Sequence, residues 1–136
     1  MKNILLIDDD IDILKSMGEI LNGLGYEVIA KSDGRSALSV IREGTCVNLV
    51  ITDHQMPAMD GIEIACFFKQ CLPSVPVIIL SEESSIESYL KSLSCGVFEY
   101  MNKPVRVKEL RKIVKKALER FAGETESVVT RNSRTS

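Results

Sequence analysis

At 136 residues, 45% of them hydrophobic and 26% charged, the chain has the length of one ordinary domain and is too apolar to be disordered throughout. Its net charge of −2 hides an uneven distribution: residues 1–103 carry 15 acidic and 8 basic side chains, whereas residues 104–123 carry 2 and 7. Cations in a late helix complement its dipole, so Lys112, Lys115, Lys116 and Arg120 are read as a solvated face and a nucleic-acid partner is not expected; no apolar run approaches a membrane span or export signal, so a cytoplasmic protein is.

The chain alternates short apolar strands with amphipathic helices five times, the pattern of a parallel sheet covered on both faces. Asn3–Asp8 reads as a strand ending in acids, and Ile11, Leu14, Met17, Leu21 and Leu24 then recur at helical spacing up to Gly25. Tyr26–Lys31 reads as the second strand, followed by a helix capped by Asp33, carrying Ala37, Leu38 and Ile41 and ended by Gly44. Val47–Thr52 is the third strand. The breaker-rich segment 53–61 leads into a helix with Ile64, Ala65, Phe68 and Leu72, closed by Pro73. Pro76–Ser81 is the fourth strand, and Ile86, Tyr89, Leu90 and Leu93 form the next stripe before Gly96. Val97–Met101 is the fifth strand. After Pro104, Leu110, Ile113, Val114, Ala117, Leu118 and Phe121 mark a last helix, so the domain is placed at residues 1–123 and an unstructured tail at 124–136.

In an open parallel sheet, ligands bind beyond the carboxyl ends of the strands, and right-handed crossovers bring those ends to one edge. Here they carry Asp8-Asp9, Asp53, Ser81 and Lys103-Pro104. Clustered carboxylates repel one another and ordinarily require a cation, and an oxygen donor set without His or Cys favours Mg²⁺. A neighbouring Lys and hydroxyl suit the remaining oxygens of a phosphoryl group. Together these components fit phosphoryl transfer to a carboxylate.

The segments ILLIDDD (4–10), ITDHQMPAMDG (51–61), PVIILS (76–81) and EYMNKP (99–104) occur in order, each at a strand's carboxyl end. On these motifs the chain resembles the receiver domain of bacterial two-component response regulators, from Asn3 to about Phe121. The resemblance implies a flavodoxin-like (βα)5 doubly wound fold of the CheY-like superfamily with strand order 2-1-3-4-5. It implies that Asp53 accepts a phosphoryl group, that Asp9, Asp53 and the Gln55 backbone carbonyl bind Mg²⁺, and that Asp8 orients the metal through water. Lys103 would pair with Asp53 and then with a phosphoryl oxygen, Ser81 would bond another, and a cis Lys103–Pro104 bond would aim the Lys inward. Ser81 and Tyr100 stand at the positions of the family's switch pair. The implied donor is a histidine kinase or phosphotransfer protein, and the implied output is a downstream protein meeting the fourth helix, fifth strand and fifth helix. Such a domain catalyses only its own phosphorylation and dephosphorylation and is not otherwise an enzyme.

Several residues receive quieter readings. Asp10 and Asp12 serve the helix dipole, and His54 is expected on the surface, because strand alternation turns it away from Asp53. Cys46, Cys66, Cys71 and Cys95 lack C-x-x-C spacing and are expected to be buried thiols. Glu82 departs from the small residue usual after the hydroxyl, while Gln55 and Glu83 occupy positions that the family varies to set phosphate lifetime. Two alternatives remain: a Mg²⁺-dependent aspartyl phosphatase of the haloacid dehalogenase type, using Asp8-x-Asp10, and a receiver cut from a longer transcription regulator.

Overall fold

The computed structural model describes residues 2–83 and 85–135, with the backbone alone beyond Phe121. The elements alternate as the pattern predicts: β1 (Asn3–Ile7), α1 (Ile11–Gly23), β2 (Glu27–Lys31), α2 (Gly34–Arg42), β3 (Leu49–Asp53), α3 (Gly61–Cys71), β4 (Val77–Ser81), α4 (Ile86–Ser94), β5 (Glu99–Asn102) and α5 (Val107–Thr135). The strands form one parallel sheet in the order β2-β1-β3-β4-β5. This is the flavodoxin-like arrangement, with the order reversing beside β1.

Apolar side chains leave the central strands in both directions. Ile4, Leu6, Leu49, Ile51, Ile78 and Leu80 meet Leu21 of α1 and Leu110, Val114, Ala117 and Leu118 of α5. Leu5, Ile7, Val50, Val77 and Ile79 meet α2 and α3 on the other face, around the fully buried Phe68. At roughly 25 cal/mol per Å² of apolar surface removed from water, these two layers supply the main driving force for closure. Helix starts are fixed locally: Asp10, Asp33, Asp60 and Ser85 cap α1 to α4, Asp60 as a capping box with Glu63. Gly25 and Gly44 end their helices in the left-handed region, at φ 98° and 83°.

Three expectations change. The apolar stripe of α4 does not enter the core: Ile86 is 79% exposed and Leu90 58%, while the described α4 residue that is buried is Ser92. Helical periodicity defines a face but not what covers it. The cysteines are not four buried thiols either. Cys66 on α3 and Cys95 at the end of α4 are joined as a disulfide with their Cα atoms 4.6 Å apart, and Cys46 and Cys71 are exposed and free. Packing of α3 against the close of α4, where Lys69 Nζ also donates to the Ser94 carbonyl at 2.8 Å, brings the pair together across 29 residues of sequence. Finally, α5 continues past Gly123 to Thr135. A glycine inside a helix costs only about 1 kcal/mol and no proline follows it, so nothing local stops the backbone there. The side chains of the expected tail, 124–136, lie outside the described residues.

Candidate functional site

The site is assembled at the carboxyl ends of β1, β3 and β5. Asp8 and Asp9 follow β1, Asp53 closes β3, and Lys103 stands one residue beyond β5. Parallel register sets these ends level: Ile7 pairs with Thr52 and Asp53 with Leu80. The Lys103 amide donates to the Ser81 carbonyl at 2.8 Å, so β5 leaves the sheet with Lys103 held against β4. The Lys103–Pro104 peptide bond is cis, as the resemblance implies.

Lys103 Nζ lies 3.0 Å from Asp8 Oδ2 and 3.1 Å from Asp53 Oδ1, with side chains only 10%, 5% and 12% exposed in that order. One oxygen from each of Asp8, Asp9 and Asp53 falls within 4.8 Å of the others, a geometry that could hold a metal ion. Burial pushes the Asp53 carboxyl above its ordinary range; Lys103 opposes that rise, while Asp8 and Asp9 add to it. Burial works against the charge on Lys103, yet Asp8 and Asp53 together hold its pKa above the usual value. Three acids thus face one cation, a local excess of negative charge that a divalent cation would offset.

A cavity of about 170 Å³ opens over these groups, lined by Asp8, Asp9, Asp10, Ile13, Asp53, Gln55, Glu82 and Lys103. Asp10 borders the cavity, but its Oδ1 accepts from the Asp12 and Ile13 amides at 3.0 and 3.3 Å. That oxygen caps α1, while the Asp10 side chain still borders the cavity. Glu82 stands at the cavity wall, and the Gln55 side chain donates to Glu83.

Two predicted site residues are turned elsewhere. Ser81, 1% exposed, does not line the cavity; its hydroxyl donates to the Glu83 carbonyl at 2.7 Å and accepts from the Glu83 amide at 3.1 Å. Tyr100 donates to the same carbonyl at 3.1 Å and borders a groove with Ser85, Ile86, Tyr89 and Asn102.

The expectation for His54 fails outright. His54 is 7% exposed, and its Nδ1 lies 3.4 Å from Ser81 Oγ and 3.2 Å from Tyr100 Oη. Alternation does turn it from Asp53, but β3 lies inside a sheet covered on both faces, so the opposite side is a second interior. The buried strands on either side carried that signal.

The chain matches the response regulator receiver domain family over residues 4–115, and it belongs to that family. It is 36% identical over 135 residues to the transcriptional regulatory protein GlrR of Escherichia coli K12, an alignment covering 96% of this chain and 30% of that regulator. It therefore spans less than a third of that relative's length. Among solved structures, a CheY-like receiver domain protein from Methanospirillum hungatei JF-1 superposes with a TM-score of 0.86 at 32% identity, covering 91% of this chain and 98% of the other. A receiver domain protein from Clostridium thermocellum gives 0.83 at 31% identity, with 88% and 96% covered.

Proposed function

We propose that the chain is a phosphorylation-activated switch of a two-component phosphorelay, with Asp53 as acceptor. The observation that carries this reading is the Asp53 carboxylate at the end of β3, ion-paired to Lys103 and grouped with Asp8 and Asp9 over one cavity. An oxygen of Asp53 attacks the phosphorus of a phosphohistidine on a histidine kinase or phosphotransfer protein. The P–N bond breaks, and the departing imidazole keeps its electron pair and takes up a solvent proton. Lys103 moves from ion pair to phosphoryl oxygen without losing a partner, because Asp8 also holds it. Ser81 reaches a second oxygen by leaving the Glu83 carbonyl.

Asp8, Asp9, Asp53 and the Gln55 carbonyl are the groups that would hold Mg²⁺, whose chemistry there is to neutralise charge on the phosphoryl oxygens. The all-oxygen donor set and the uncompensated acids support that ion. The protein catalyses only its own phosphorylation and dephosphorylation, and it works in the cytoplasm; no described helix is long and apolar enough to cross a membrane. Output passes through contacts at α4, β5 and α5, a surface supported by the uncovered apolar stripe of α4. By likeness to GlrR, a longer parent chain would use the same switch to regulate transcription.

Incubation with Mg²⁺ and acetyl phosphate is expected to add one acid-stable, hydroxylamine-labile phosphoryl group, visible by intact mass, and Asp53→Asn is expected to abolish it. Equal labelling of that variant would overturn the assignment.

A further inference from the structure

α4 buries fewer of its residues than α1, α2 or α3. Its apolar stripe lies largely in solvent, and Ser92, its buried residue, spends its hydroxyl inside the helix on the Tyr89 carbonyl at 2.6 Å. The attachment of α4 is concentrated at its carboxyl end. There Cys95, 6% exposed and packed among the buried apolar residues of that face, is joined to Cys66 of α3. The Lys69 ammonium, one turn past Cys66, donates to the Ser94 carbonyl at 2.8 Å, and its Cδ lies 3.2 Å from where a Cβ of Gly96 would stand. A helix with so little buried surface is held weakly by packing alone, so the covalent tie carries much of its restraint.

The two sulfurs differ in access. Cys66 is only half-buried, whereas Cys95 is nearly enclosed, so an incoming thiolate or disulfide meets Cys66 first. An outer sulfur open to attack beside an inner one that resolves it suits thiol–disulfide exchange. The bond from Lys69 to Ser94 does not depend on the oxidation state of the sulfurs. It keeps α3 and the end of α4 in register after reduction, which lets the disulfide close again.

We propose that Cys66 and Cys95 form a reversible redox modification site: a low-molecular-weight disulfide such as glutathione disulfide closes the bond and tethers α4, and a thiol reductant opens it and frees α4. In closing, the Cys66 thiolate attacks one sulfur of glutathione disulfide and expels a glutathione thiolate. The Cys95 thiolate then attacks the Cys66 sulfur of the mixed disulfide and expels the second. Two electrons pass from the cysteine pair to glutathione disulfide, and the two protons lost by the cysteines end on the two glutathione thiols. In the cytoplasm proposed for this protein thiols are kept reduced, so a closed bond there records an oxidising episode. The bearing on signalling rests on the reading of α4 as output surface; the thiol chemistry stands without it.

The test takes the full chain through glutathione buffers running from mostly oxidised to mostly reduced and back. Samples are quenched in acid, unfolded, alkylated and weighed. Two of the four cysteines are expected to escape alkylation in the oxidised buffers and none in the reduced ones, with peptide mapping placing the bond at Cys66–Cys95. On reduction, hydrogen exchange of residues 86–94 is expected to quicken about ten-fold or more, while the amides of β1 and β3 keep their rates. Cys66→Ser is expected to exchange at the reduced rate in every buffer, and Cys71→Ser, which alters an exposed free thiol, to follow wild type. A bond still closed in reduced glutathione would make the pair a permanent staple and overturn the proposal. So would a bond that never forms, α4 amides indifferent to reduction, or β1 amides that quicken together with those of α4. Should Cys66→Ser fail to fold, the wild-type titration decides alone, since each of those outcomes is read without the variant.

Discussion

Asp53 is placed where its charge works against folding, and Lys103 limits the damage. Because burial and two neighbouring acids raise the folded-state pKa of Asp53, its favourable contribution is complete only below the ordinary carboxylate value and is lost as pH rises through the higher folded value. Without divalent cations, Asp53→Asn is therefore expected to be more stable than wild type at pH 7. The gain is about 0.5–2 kcal/mol, and it should shrink as the pH falls and Asp53 becomes protonated; urea unfolding across that range measures it. Lys103→Ala does the reverse, leaving two shielded carboxylates facing each other at a cost of about 3 kcal/mol at pH 7. On the proposed function Glu82 would act on rate: it borders the cavity that an anionic donor would enter, and a like charge roughly 7 Å away costs about 0.6–2.4 kcal/mol before screening. Glu82→Ala should accelerate labelling by acetyl phosphate about three-fold or more, with the larger gain at low salt, as rates at two ionic strengths would show.

At the scale of elements, the loop from β3 to α3 is tied to the strand it leaves. A Cβ on Gly61 would overlap the Asp53 carbonyl oxygen and stand 3.1 Å from Thr52 Cγ2, so backbone would have to give way. A Cβ on Gly34 meets chiefly Met59, with Sδ at 2.9 Å, a long side chain able to turn aside. Gly61→Ala is expected to cost about 1–3 kcal/mol and to slow phosphorylation by displacing the acceptor, while Gly34→Ala stays within about 1 kcal/mol of wild type; paired unfolding curves compare them. The Asp60-Gly61 pair had a simple reading as helix-start chemistry, and Asp60 does cap α3. The part played by Gly61 was invisible because it depends on how closely the returning chain approaches β3. The exposed face of α4 was hidden for a related reason: Ile86, Leu90 and Leu93 have the spacing of a core stripe, and only the tertiary arrangement leaves them uncovered.

For the whole molecule, alternation of strand and helix was enough to place Asp8, Asp9, Asp53 and Lys103 on one edge, since a parallel sheet has a single carboxyl edge. The strand order itself came with the family resemblance. What sequence could not supply was contact between side chains from different elements: the disulfide from α3 to α4, and the buried meeting of His54, Ser81 and Tyr100. Such contacts depend on helix docking and rotamers, to which a linear pattern is blind. The site's dependence on distant parts of the chain also has a measurable side. β5 has four residues, lies at the sheet's margin and is covered less completely than β3 or β4. Its amides are expected to exchange with solvent faster than those of β1 and β3, as hydrogen exchange would show.

Lys103 and Asp8 meet across 95 residues of sequence. A chain emerging from the ribosome exposes its three acids long before the lysine that balances them, and a chain clipped before residue 103 never acquires it. On the proposed function, Asp53 would become competent to accept a phosphoryl group only once the last strand has docked, so partial products of synthesis or proteolysis would not act as the switch.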